Sequence, residues 1–458
     1  MPHQLTASIS SYPARASLAW YLALIAVGSL LLAMPFARAS DEKPISALDA
    51  VFTATSASCV TGLAVRTTDE FSWAGQLVIL CLIQLGGVGI MTVTTFLMFR
   101  FGGRQNLRAR AVISETLGAH RTNNLPWILA NVLRLTFILE SAGFLALLTR
   151  NLVDLPLPQA AWHALFHSVS AFCNAGFALH SDSLVRYQGD PVVNVVICTL
   201  VVVGGLGFPV ILDLIRHRHK PWSEIWGCLT LHTKLMLLGT LSLFLVGAVS
   251  FLLLEWERSL TGLGIGRSVL VACFHSITCR TAGFNTIDLA ALSDAMLFIS
   301  MLLMAIGAGP CSTAGGFKVS TTVILVCQAW ATFRGRTRLN LFRRTVPIGT
   351  VQRATATAML FGVVALVALT VLVVIEEASG HAGDNPRLSI EAMFEAVSAL
   401  GTVGLSVGLT GNLSALGRGV LILLMILGRL GPISVFVALS TGTAHETVQY
   451  ASEEPMIG

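Results

Sequence analysis

Asp49-Ala-Val-Phe-Thr-Ala-Thr-Ser56, followed after a short gap by Cys59-Val60-Thr61-Gly62-Leu63, is a pattern that this chain writes four times. It returns as His163-Ala-Leu-Phe-His-Ser-Val-Ser170 with Cys173-Asn174-Ala175-Gly176-Phe177. The third copy is Val271-Ala-Cys-Phe-His-Ser-Ile-Thr278 with Arg280-Thr281-Ala282-Gly283-Phe284. The fourth is Glu391-Ala-Met-Phe-Glu-Ala-Val-Ser398 with Gly401-Thr402-Val403-Gly404-Leu405. Each joins a short amphipathic segment to a small-residue loop ending in glycine and an apolar residue. One such stretch reads as a helix capped by glycine. Four at matching positions read as loops set around a common axis.

The surroundings are those of a membrane protein. Mean hydropathy is +0.76, and only 12% of the 458 residues are charged. Apolar runs of about 20 residues, long enough for roughly 30 Å of hydrocarbon, recur throughout. The first, near Leu18 to Phe36, lacks a small-residue cleavage site and reads as a spanning helix rather than a signal peptide. Nine Cys, none in a CxxC pair and nearly all inside apolar segments, point to buried thiols rather than disulfides or zinc. The net charge of +5 is too modest for a nucleic-acid partner.

Charge sets the expected orientation. The segments 100–124, 216–234 and 333–353 are basic, whereas the other loops carry Asp49, Asp69, Glu70, Glu255, Glu257, Glu376, Glu377 and Glu391. Basic segments face the cytoplasm, which places both termini inside a cytoplasmic membrane. An acidic outer face concentrates cations at the entrance. The predicted architecture is an all-α membrane protein of four parallel helix–pore helix–helix repeats around a central pore: residues 1–100, 101–220, 221–340 and 341–458. That makes eight transmembrane helices and four re-entrant pore loops. First helices are expected near 18–36, 127–148, 234–254 and 355–375, and second helices near 73–99, 192–215, 295–333 and 420–439. The re-entrant segments (44–57, 157–171, 266–278, 386–399) are too short to span. Irregular backbone at that depth survives only inside protein or along a watery cavity.

Residue types then point to a chemistry. Gly62, Gly176, Gly283 and Gly404 can turn carbonyls inward where a Cβ would resist, and rings of carbonyls replace the water shell of a dehydrated cation. The candidate ion-binding residues are Cys59, Val60, Thr61 and Gly62; Cys173, Asn174, Ala175 and Gly176; Arg280, Thr281, Ala282 and Gly283; and Gly401, Thr402, Val403 and Gly404. No ring of Asp or Glu is available, which favours a monovalent ion. Gly86, Gly307 and Gly428 follow their loop glycines by 24 residues, and Gly204 follows by 28. Except for Gly307 in the third repeat, these read as close-packing positions, with a gating hinge as the alternative. The run Gly307-Ala-Gly309-Pro310-Cys-Ser312-Thr313-Ala-Gly315-Gly316-Phe-Lys318 cannot continue a regular helix. Phe317 separates Gly316 from Lys318 and no strand precedes, so no nucleotide is expected to bind this chain.

Arg429 lies deep in the last apolar helix, where charge costs about 2.5–3.5 kcal/mol if it meets lipid. It reads either as an electrostatic barrier or as half of a structural ion pair. Arg280 is expected to turn away from the axis, toward pore-helix carbonyls or Glu395. His163 and His167 with His275 suggest a metal pair, but Thr53 and Glu395 fill the matching position elsewhere, so a polar helix face reads better. No hydrolase or metalloprotease constellation is present, which argues against an enzyme. A coupled secondary transporter of another solute is the alternative to an ion pore.

These loops, with the 307–318 run, Gly428-Arg-Leu-Gly-Pro432 and the tail Glu453-Glu-Pro-Met-Ile-Gly458, resemble the Trk, Ktr and HKT superfamily of potassium transporters. The likeness covers Leu18 to the end and is strongest to the Ktr branch, since Trk relatives carry two further N-terminal helices. It implies K⁺ as the transported ion, with Na⁺ dependence open; plant relatives with Ser at the first filter glycine tend toward Na⁺. It also implies a homodimer and a cytosolic regulatory subunit that binds adenine nucleotide. Residues 307–318 would then be an intramembrane gating loop beneath the filter, with Arg429 beside it. The basic inner segments would face that subunit or membrane lipid.

Overall fold

The structure is a computed structural model that describes residues 13–39, 44–101, 125–336, 338–380 and 386–431. A helix, a short helix and a further helix succeed one another along the chain. First come α1 (Pro13–Leu32), α2 (Ala47–Ser58) and α3 (Trp73–Phe101), then α4 (Leu125–Asn151), α5 (Leu157–Phe172) and α6 (Pro191–Leu206) with α7 (Phe208–His217). After a connecting helix, α8 (Trp222–Cys228), follow α9 (Leu231–Glu255), α10 (Ile265–Thr278), α11 (Asp294–Ala305) and α12 (Val319–Phe333). A small antiparallel hairpin, β1 (Asn340–Leu341) and β2 (Arg344–Thr345), leads to α13 (Ile348–Ser379), α14 (Leu388–Gly401) and α15 (Ala415–Leu430).

Two expected helices are discontinuous, for different reasons. The run 192–215 breaks at Gly207, whose φ is 91°, and α6 and α7 diverge by 97°. Pro209 brings no N–H to the first turn of α7, and the Phe208 N–H goes instead to Cys311 O at 3.1 Å. The run 295–333 stops at Ala305 and resumes at Val319, with the glycine-rich stretch between. The helix expected at 355–375 is longer, running from Ile348 to a left-handed Gly380 cap. The basic segment 102–124, the last helix beyond Gly431, and the tail 453–458 lie outside the described residues.

Among the described residues α9, α13 and Ala130–Asn151 of α4 are long and apolar enough to cross a membrane, and the bent α6–α7 pair is a fourth if taken as one span. Their outward faces carry Phe137, Leu253 and Met359, each more than two-thirds exposed. Apolar side chains so placed suit hydrocarbon rather than water.

The end of one long helix is tied to the start of the next by side chains. Glu255, last in α9, accepts from Ser293 N at 3.0 Å and Ser293 Oγ at 2.6 Å, and Ser293 caps α11. Glu376 in α13 accepts from Ser414 N at 3.2 Å and Oγ at 2.7 Å, and Ser414 caps α15. Asp190 caps α6 and pairs with Arg150 at the end of α4. Each clasp satisfies free helix-end N–H groups. Packing carries on around the molecule. Phe166, Phe172 and Leu200 share a core with Ile79 and Ile83, Phe251 and Met296 meet Phe394, and Leu372 and Met425 close back on Tyr21 and Phe52.

Candidate ion pathway

The four loop glycines face one another. A methyl group added to Gly62 would meet Ala175 O at 2.5 Å, and one added to Gly176 would meet Ala282 O at 2.9 Å. From Gly283 the nearest atom is Val403 O at 2.6 Å; from Gly404 it is Thr61 O, with Gly62 Cα at 3.0 Å. Each glycine therefore abuts the carbonyl just ahead of the next glycine, and the series returns to its start. The ring is closed, and no Cβ fits in it. All four have positive φ, between 70° and 97°, a region open to glycine.

Two residues before each glycine, Val60, Asn174, Thr281 and Thr402 are also left-handed, with φ between 51° and 68°. That conformation costs about 1–2 kcal/mol in a residue with a side chain. Left-handed residues at alternate positions turn successive carbonyls to one side, so the surroundings must hold them. Ser56, Ser170, Thr278 and Ser398 supply the hold. Ser56 O accepts from Thr61 N at 2.8 Å, and its Oγ from Gly62 N at 3.0 Å. Ser398 repeats this with Val403 N at 2.8 Å and Gly404 N at 3.1 Å. Ser170 O accepts from Ala175 N at 2.8 Å while its hydroxyl donates to Phe177 O at 2.8 Å. In the third loop, one residue shorter, Thr278 O accepts from Ala282 N at 3.0 Å and its hydroxyl donates to Phe284 O at 2.5 Å. The deletion is absorbed by a tighter backbone turn. None of these four was among the expected site residues, although each ends the eight-residue motif that defines the repeat.

The remaining candidates fall around the ring. Cys59 and Cys173 cap α2 and α5 and are fully buried, and Gly401 ends α14. The C-terminal, partly negative ends of α2, α5, α10 and α14 thus abut the ring. Arg280 turns away from it, but its partner is Thr240 Oγ1 of α9 at 3.3 Å, neither a pore-helix carbonyl nor Glu395. Glu395 is taken up by Ser406 and Thr410, each at 2.5 Å, and by Val407 N at 3.3 Å. His167 does the same for the second loop, accepting from Leu179 N at 3.4 Å, and His275 meets Ser300 Oγ at 2.9 Å. His163, His167 and His180 cluster with ring centroids 4.8 to 5.9 Å apart. No group of three His, Cys, Asp or Glu is arranged to hold a metal among the described residues.

The glycine-rich stretch lies directly against the ring. Thr313 Oγ1 donates to Phe172 O at 3.0 Å, Gly309 N to Gly205 O at 2.8 Å, and Gly315 backs onto the Thr402 side chain. Ser312 closes back on Gly309 O at 2.7 Å, and Lys318 Nζ donates to Ala314 O at 2.9 Å and Gly315 O at 3.2 Å. Gly307 N meets Phe317 O at 2.7 Å, which pairs the two ends of the stretch, and Gly316 N reaches Gly428 O at 3.4 Å. Pro310 O sits against Gly207, at the break between α6 and α7.

Arg429 is buried and takes no carboxylate partner among the described residues. Its guanidinium donates to Thr313 O, to Gly86 O at 2.6 Å, to Gly87 O at 3.4 Å and to Tyr21 Oη at 3.0 Å. Of the two readings of Arg429, the ion pair is not what the described residues show: three main-chain oxygens and the Tyr21 hydroxyl take its donors instead. The mid-helix glycines Gly86, Gly204 and Gly428 lie against Ser58 O, Phe172 O and Leu400 O, at the ends of α2, α5 and α14. Close approach of backbone to backbone is their evident role here.

Comparison with known proteins gives the family of the chain. The model of the TrkH family, described as cation transport proteins, matches residues 20–446. The chain is 39% identical over 423 residues to Ktr system potassium uptake protein B of Vibrio alginolyticus, covering 92% of this chain and 90% of that one. It is 34% identical to the protein of the same name in Bacillus subtilis, covering 96% of each. It is 35% identical to the potassium/sodium uptake protein NtpJ of Enterococcus hirae, covering 97% of each. The crystal structure of the potassium transporter TrkH from Vibrio parahaemolyticus superposes with a TM-score of 0.72 at 20% identity, over 93% of this chain and 84% of that one. The chain belongs to the TrkH family of cation transport proteins.

Proposed function

We propose that this protein takes up K⁺ across the cytoplasmic membrane through the ring of main-chain carbonyls around Gly62, Gly176, Gly283 and Gly404. The observation that carries the reading is the closure of that ring: four loops far apart in sequence meet with backbone oxygens and no acidic side chain. Oxygens of this kind suit a monovalent cation stripped of water. The Ktr system relatives are potassium uptake proteins by name, which supports the same ion. The chain runs as four helix–short helix–helix units, 1–100, 101–220, 221–340 and 341–458, with both termini cytoplasmic.

Residues 307–318 act as the gate: the stretch is buried under the ring and fastened there by Arg429. A cytosolic nucleotide-binding subunit moves it, and two copies of the chain form the membrane unit. The name of the Enterococcus hirae relative includes sodium, which makes Na⁺ the co-ion to test first. The deciding experiment is cation-resolved uptake in a K⁺-uptake-deficient bacterium, with and without the regulatory subunit and external Na⁺. K⁺ and Rb⁺ uptake that depends on this chain supports the reading. Organic-solute uptake with no cation accumulation overturns it in favour of a solute transporter.

A further inference from the structure

The end of α12 and the hairpin that follows it form a corner that the ion pathway does not use. A cavity of about 470 Å³ opens there, walled by Val326, Cys327, Trp330, Phe333 and Leu339 and rimmed by Arg334, Arg336 and Arg338. Phe333 is 86% exposed, Val326 64% and Trp330 60%, so the wall is apolar and uncovered. The corner is nevertheless built. Leu339 and Val346 pack on Ala331, Phe342 stacks edge-on against Trp226 at 6.0 Å, and Lys234 lies 5.8 Å from both those rings. The Arg334 guanidinium lies 4.9 Å from the centre of the Trp330 ring.

Aromatic rings beside a cluster of arginines, at the end of an apolar helix, mark the level where hydrocarbon gives way to headgroups. From Phe333 to Arg353 the sequence holds Arg334, Arg336, Arg338, Arg343, Arg344 and Arg353 and no acidic residue. Charge and shape thus call for one kind of occupant, apolar along its length with a negative end. Guanidinium groups bind phosphate oxygens through paired N–H donors.

We propose that this corner is a binding site for an anionic phospholipid. Its phosphodiester sits among Arg334, Arg336 and Arg338, and one acyl chain lies along Val326, Trp330 and Phe333. The proposal rests on the reading of the chain as a membrane transporter and adds a ligand to it. Binding here couples the lipid to α12, which carries the 307–318 stretch at its other end.

The test uses the full chain purified in detergent, with lipid retention followed by native mass spectrometry. Phosphatidylglycerol and phosphatidylcholine are offered at equal concentration to the native chain, to R336Q/R338Q, and to R216Q/R218Q as a control in a different basic segment. The native chain and the control should hold phosphatidylglycerol over phosphatidylcholine, and R336Q/R338Q should bind it at least roughly tenfold more weakly. Inorganic phosphate should not displace the bound lipid. Equal retention by R336Q/R338Q overturns the site, as does displacement by phosphate alone. Protection of these arginines by the regulatory subunit in lipid-free protein overturns it in favour of a protein dock. Potassium flux in liposomes with the regulatory subunit added separates the two readings: a native chain that holds phosphatidylglycerol but moves no K⁺ even with that subunit supports the lipid site and sinks the transport function.

Discussion

A single Cβ is the smallest change that should abolish transport. At Gly283 an added methyl meets Val403 O and the Gly176 Cα, both within 3 Å, and the residue must hold φ near 80°. Gly283→Ala should therefore remove K⁺ uptake, beyond the 1–2 kcal/mol of backbone strain, while purified protein remains helical by circular dichroism. The bracing hydroxyls act more gently. Ser398→Ala deletes the acceptor of the Gly404 N–H, one hydrogen bond worth about 0.5–1.5 kcal/mol. Uptake should fall up to roughly tenfold, with weakened preference for K⁺ over Na⁺ in competition assays; Ser398→Thr should restore most of it. His180, in the loop after the second ring segment, is pushed down to about 4 by burial, with Arg186 and His163 adding to the effect. An unfolded histidine takes up its proton near 6.5, so between about 6.5 and 4 the unfolded chain binds more protons than the folded one. Stability should decline as pH falls through that window. His180→Asn should flatten the decline in a thermal-unfolding series.

At the level of elements, Arg429 fastens the glycine-rich stretch to α3 and α15. Arg429→Ala leaves the carbonyls of Thr313 and Gly86 without that donor and should raise K⁺ uptake in the absence of the regulatory subunit. Replacing Pro310–Gly316 with a shorter glycine linker should have the same effect. Uptake that stays fully partner-dependent in both variants would remove the gate from this stretch. Much of this scale was readable beforehand, because Gly, Pro and runs of apolar residues act locally. The short helices and the interruption after Ala305 follow from nearest neighbours in the chain. The break at Gly207 was missed although Gly207 and Pro209 are local signals; what chain neighbours do not specify is the Phe208–Cys311 hydrogen bond to a segment about a hundred residues away. Ser56, Ser170, Thr278 and Ser398 escaped notice for a related reason. Hydroxyls in a membrane helix are usually bonded to their own preceding turn, and only the fold shows these reaching forward instead. The Arg280 partner was misjudged because Thr240 lies on a separate helix whose rotation no local pattern specifies.

For the whole molecule, the first and last units must be joined for the circle to exist. Asp49 takes Arg418 at 2.8 Å and Arg66 at 3.7 Å, linking α2 to α15 on one face. Removing one partner of a well-buried pair costs about 3–5 kcal/mol; with Arg418 and Arg66 each about one-fifth exposed, Asp49→Asn should cost nearer 1–2 kcal/mol. A lowered unfolding temperature in detergent, with a parallel loss of K⁺ over Na⁺ discrimination, is the expected result. Unchanged discrimination would show that the seam between first and last units does not shape the ring. Because one gene encodes all four sides of that ring, no symmetry operator copies a mutation around it. A tetrameric pore changes at every quadrant when one codon changes. Here a substitution alters a single quadrant, so coordination can be changed one side at a time, and the third segment, one residue shorter than the others, already makes the four sides unequal.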